Sequence, residues 1–162
     1  MAAPLPFAGS PYGYAQNQAQ LAYQNALASI GTQRNQYMQQ EGFDPSTGKV
    51  MNNPLSQWGQ LSGSLEHAAD STDQMIRGRG LGTMGHMKGV GMQLEELGNQ
   101  ARDQQLYNFS NAYRGGMENF DQQKLNAQNS FTDATNQNTQ KLIEWLIKTG
   151  QFNTWKNPKG GK

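Results

Sequence analysis

Residues Gly80-Leu81-Gly82-Thr83-Met84-Gly85 match the G-x-G-x-x-G pattern that brings a backbone close to a dinucleotide pyrophosphate. That chemistry needs a buried strand before the glycines and an acid on a second strand after them. Here an acidic helical stretch precedes the glycines, and the acids that follow, Glu95 and Glu96, fall on a second helical stretch. The run therefore reads as a linker. Gly42 through Gly48-Lys49 is faintly like a phosphate loop, but the glycines are one residue too far apart. Val50 also stands where a magnesium-binding Ser or Thr would be.

Other chemistries are equally thin. His67 and His86 lie 19 residues apart with no thiol or clustered carboxylate to complete a metal site. Glu95 and Glu96 are adjacent on a helix and diverge, which is wrong for a general acid–base pair. Glu144 sits in an apolar stretch, where burial would raise its pKa, but solvation or ion pairing is the simpler reading. Arg77-Gly78-Arg79-Gly80 is of the kind that contacts nucleic acid, although its charges serve equally to solvate a linker. There is no Cys, hence no disulfide and no thiolate nucleophile. The expectation is a protein that is not an enzyme and holds neither cofactor nor metal.

The elements that position these residues are helical. Gln and Asn make up 36 of 162 residues, whereas Leu, Ile, Val and Phe total 25, about 15%. That is below the ~20% with which chains ordinarily build a core. Two Val and four Ile cannot furnish a buried parallel sheet. Residues 1–12 carry Pro4, Pro6 and Pro11 around Leu5 and Phe7 and read as an extended docking arm. Residues 13–77 read as two helices, near 14–40 and 54–77, joined by a turn at 42–53. Tyr23, Leu27, Ile30, Arg34 and Tyr37 form the stripe of the first helix. The second has Asn53 as its expected cap and Pro54 at its first position, with Gly59 and Gly63 spaced for a close helix contact.

Residues 78–91 hold six glycines and read as a linker. Residues 92–149 contain no proline and read as one long helix of about 87 Å, or two broken at Gly115-Gly116. Leu106, Phe109, Tyr113, Phe120, Phe131 and Leu142 fall on its stripe and are the expected seam or assembly residues. The end of this helix and the tail 150–162 combine apolar and basic residues. Trp145, Ile147, Lys148 and Trp155 make it a candidate interfacial segment for a membrane or an anionic partner. Residues 141–162 carry a net +4 and the remainder −3. No apolar run reaches the ~18 residues of a membrane span, and the start lacks the basic and apolar regions of a signal peptide. The expected fold is all-α, an elongated long-helix or helical-hairpin protomer that becomes ordered in a homo-oligomer.

Taken together, the Gln/Asn/Ala/Gly-rich, Cys-free helices and the helix–glycine linker–helix run over roughly residues 64–135 resemble small structural proteins of tailed bacteriophage virions. The resemblance is to internal or ejection-type proteins near the portal and tail. It implies a helical virion component made in the host cytoplasm and not secreted, present in rings of copies and released with the genome. The implied partners are itself, portal or tail proteins, and membrane or DNA during ejection. Two other readings stand beside it: a helical scaffold or adaptor, and a nucleic-acid-associated protein using the Arg-Gly run and the basic tail.

Overall fold

The computed structural model of the protein describes residues 10–79 and 85–152. Three helices account for nearly all of them: α1 (Gly13–Glu41), α2 (Gln57–Gly78) and α3 (Gly85–Lys148). Among the described residues the sole β feature is an isolated bridge between Phe43 and Val50. The chain is all-α. It divides into two compact units, one of α1 up to Gly31 with α3 from Asp121 onward, the other of residues Thr32–Phe120.

In the first unit α1 and α3 run antiparallel. Tyr23 stacks on Phe131 with ring centroids 4.9 Å apart. One layer further along, Gln16 donates to Thr135 Oγ1 at 3.2 Å, and Asn138 donates to Gln16 Oε1 at 3.3 Å. Asn138 is 8% exposed, so this is a polar layer inside the seam. Leu142, fully buried, and Leu146, one turn on and 3% exposed, supply this unit's buried apolar side chains among the described residues.

In the second unit α1 ends in a Schellman motif. The N–H groups of Gly42 and Phe43 both reach Met38 O, at 3.0 and 2.7 Å, and Gly42 takes the left-handed φ of 101° the motif needs. The chain then reverses. Asp44 N donates to Lys49 O and Met51 N to Gly42 O. Asp44's carboxylate accepts from Ser46 N, Ser46 Oγ and Thr47 Oγ1 at 2.7–2.9 Å.

α2 starts at Gln57, not at Pro54, and its cap is Ser56 instead of the expected Asn53. Ser56 Oγ accepts from Gly59 N at 3.0 Å and donates to Asn53 O at 2.7 Å. Asn53's own side chain accepts from Leu55 N, an Asx turn that delays the helix by one turn. The close approach at Gly59 comes from this incoming loop, since a Cβ there would meet Asn53 O and Pro54 Cα. Gly63 has nothing near it, so the pair makes no helix–helix contact.

α3 begins earlier than expected and is otherwise the single long helix that the proline-free stretch gives. It begins at Gly85, so much of the glycine run is helical. Each glycine costs only ~1 kcal/mol in a helix, and extending a helix already nucleated by the residues after 92 avoids the nucleation cost. It also runs unbroken through Gly115-Gly116. The exposed faces carry i,i+4 amide pairs, Gln104–Asn108 and Gln122–Asn126, which support an isolated surface by a few tenths of a kcal/mol each.

Candidate assembly surface

The stripe on α3 packs mainly on its own chain. Phe109 lies 5.4 Å from Trp58 and 6.2 Å from Phe43; Tyr113 lies 4.5 Å from Phe43 and 6.0 Å from Tyr37; Phe120 lies 5.7 Å from Tyr37. All six rings belong to the second unit. Phe131 pairs with Tyr23 in the first, where Leu142 is fully buried, and Leu106 is half-buried beside Trp58 at the edge of α2. The sequence does not single out Tyr37, Phe43 and Trp58 as seam partners. Tyr37 does sit on the stripe of α1, whereas Phe43 lies in a turn, where helical periodicity says nothing.

Gly116 allows the closest of these contacts. Tyr37's hydroxyl donates to Ala112 O at 3.3 Å, and a Cβ on Gly116 would collide with the Tyr37 ring. Gly115 has nothing within 4 Å. The Gly115-Gly116 pair is thus one contact glycine and one free one, with no break between them.

Glu41 is 5% exposed at the C-terminal end of α1, where a negative charge also opposes the helix dipole. Burial pushes its carboxyl pKa up. Burial first, then the charge of Glu41 and then Tyr113, raises the Tyr37 hydroxyl. Asp44 goes the other way, held low first by the Ser46 hydroxyl, then by Ser46 N–H and Thr47.

The chemical motifs of the sequence are otherwise employed or scattered. In the Gly42–Lys49 loop the N–H groups of Asp44, Ser46 and Gly48 already donate within the turn. Residues 80–84 of the G-x-G-x-x-G run lie outside the described residues, as do Leu5, Phe7 and Trp155. Arg77 pairs with Asp73 at 3.2 Å on the exposed face of α2. Glu96 accepts from Gln100, whereas Glu95 faces α2, so the two diverge. Glu144 is exposed. No group of three His, Asp or Glu that could hold a metal occurs among the described residues. Of the tail candidates, Trp145 is half-buried, and Ile147 and Lys148 are exposed. No described helix is long and apolar enough to cross a membrane.

What the second unit leaves open is the joint between α2 and the first part of α3. α2 is amphipathic yet buries no residue fully. Small side chains face one another there, Ala68 and Ala69 against Gly98 and Ala101, and a groove of about 330 Å³ remains. A second cavity of about 330 Å³ on the other side shares Leu65, Ala69 and Arg102 with it. Leu55, Met92, Leu97 and Tyr107 of this unit are more than half exposed, as are Tyr14 and Ile147 of the other. No family model, curated protein or solved structure matches the chain.

Proposed function

We propose that this protein is an internal, ejection-type structural component of a tailed phage virion, working as a homo-oligomer near the portal or tail during genome delivery. The observation that carries the assembly part is the poverty of the core. Among the described residues Met38, Leu142 and Leu146 are the only apolar side chains buried below a tenth exposed, while eleven large ones are 43% exposed or more. Ordering a backbone costs about 1–2 kcal/mol per residue, and so small a core favours surface completed by further copies or by other virion proteins. The virion part rests on the resemblance carried by the Gln/Asn-rich, Cys-free helices.

The test is quantitative mass spectrometry of purified particles before and after DNA release. The expected result is the chain at many copies per intact particle and depleted from emptied ones. Absence from purified particles would overturn the reading; retention in full after release would make it a fixed scaffold.

A further inference from the structure

We propose that the α2–α3 hairpin of one copy packs face to face on the same hairpin of a second copy, with the Val90, Leu94 and Leu97 edge of each lying along the other's α2–α3 groove. The inference rests on the assembly part of the function proposed above and not on the virion setting.

Charge is the first argument. At about 100° of rotation per residue, the two flanks of the hairpin differ in chemistry. One flank is the side on which Ser64, Ala68 and Ala101 line the groove. There α2 adds Leu61 and Met75, and α3 adds Val90, Leu94 and Leu97. Between Leu61 and Met75, and between Val90 and Asn108, this flank carries no charged residue. The other flank, on which Ser62, Glu66 and Leu106 line the second cavity, takes Glu66, Asp70, Glu96 and Asp103. Depletion of charge, more than bulk apolarity, marks the core of an interface. Three charged residues reach the groove itself, Asp73, Glu95 and Arg102. Asp73 is paired with Arg77 at 3.2 Å, so the groove with that partner is neutral in sum. A neutral face suits a two-fold contact, in which the same patch must meet itself without repulsion.

Shape is the second argument. Leu97 is 61% exposed, Val90 47% and Met75 43%. Beside them the groove of about 330 Å³ has a floor of Ala68, Ala69, Gly98 and Ala101. Protruding side chains next to an unfilled hollow are self-complementary, because a two-fold axis between them puts each copy's knobs in the other's hole. Every residue lining the groove belongs to α2 or α3, so nothing else described in this unit covers it. Area is the third argument. Two helices each about 10 Å across, over about 28 Å from Val90 to Asn108, offer a face of about 560 Å² per copy. The pair buries about 1,100 Å², which clears the ~1,000 Å² of a biological interface.

Sedimentation equilibrium of the full-length chain over a range of concentrations tests the contact. Leu97→Glu puts a charge in the hollow and should weaken self-association by about 30-fold, as loss of an interface anchor does. Tyr107→Glu is the control. Tyr107 is 63% exposed on the side of α3 away from α2, and its change should leave association within about twofold. Both side chains are exposed, so both variants should keep the parent's helix content by circular dichroism. A benzophenone attached to Leu97→Cys, the sole thiol in a chain without cysteine, gives a second readout. Irradiated in a mixture of light and 15N-labelled chains, it should join peptides carrying Ala68 or Ala101 of the other isotope. Association unchanged by Leu97→Glu, links confined to one isotope, or mixed-isotope links landing outside α2 and α3 would each overturn the hairpin contact while leaving assembly standing. A wild-type monomer at every concentration would overturn both.

Discussion

Gly115 and Gly116 are adjacent on one helix, and replacing each with alanine should move stability in opposite directions. In an open helical position Gly→Ala gains ~1 kcal/mol, and a methyl on Gly115 would have nothing within 4 Å. At Gly116 the same methyl collides with the Tyr37 hydroxyl and ring, so Tyr37 must leave. It then loses its hydrogen bond to Ala112 O and its packing on Tyr113 and Phe120. The hydrogen bond contributes ~0.5–1.5 kcal/mol and each aromatic pair ~0.5–1.5 kcal/mol. Set against the helix gain, the net expectation for Gly116→Ala is a loss of about 2 kcal/mol. Chemical denaturation of the full chain at fixed concentration, followed by circular dichroism, measures both variants. In a Tyr37→Ala background the penalty at Gly116 should vanish and the helix gain reappear. A Gly116→Ala variant as stable as Gly115→Ala would refute the packing argument.

Glu41→Gln should stabilise the protein at neutral pH. Burial raises the folded pKa of Glu41 above its ordinary 4.5, so stability falls as pH rises through that raised value; the glutamine variant should lack this fall in denaturation curves taken from pH 4 upward. Asp44 has the opposite sign, because its folded pKa lies below its ordinary 3.8. Its contribution holds above that value and is lost as pH falls through the lowered one, and an NMR titration should show the Ser46 amide shifting with a midpoint below 3.8. Asn138→Leu should raise thermal stability, since Asn138 is 8% exposed with its amide on Gln16 at 3.3 Å, and a polar residue buried in a helix seam fixes register at a cost in stability. It should also allow alternative α1–α3 registers, seen as extra cross-links between α1 and α3.

Helix existence is plain in the sequence because it depends on spacing and on the absence of proline, and α1 matches its expected bounds to within a residue at each end. The start of α2 is harder to read because Asn53 and Ser56 are both good caps; which one closes the helix depends on whether Asn53's side chain turns back to Leu55 N. Gly115-Gly116 has the local signature of a break, and local propensity cannot show that Tyr37, 79 residues earlier, needs the missing Cβ of Gly116. The apolar run at 141–148 illustrates a different limit. Its amphipathic pattern suits a membrane interface, a partner's groove or its own unit, and Leu142 and Leu146 enter the unit's core while Ile147 stays 59% exposed. The α2–α3 groove has no sequence signal beyond small residues at helical spacing.

The two units differ in how far apart in the chain their parts are made. Residues Thr32–Phe120 are contiguous, so the aromatic cluster can form as soon as α3 is half synthesised. The other unit joins residues separated by about 120 positions, as in Gln16 with Asn138. Bringing such distant segments together from an open coil carries a loop-closure cost that grows with the logarithm of the intervening length. Once Thr32–Phe120 is folded, most of that loop is already ordered. In synthesis order the contiguous unit is complete at Phe120, whereas α1 residues 13–31 can meet their α3 partners only after residues 121–148 have emerged.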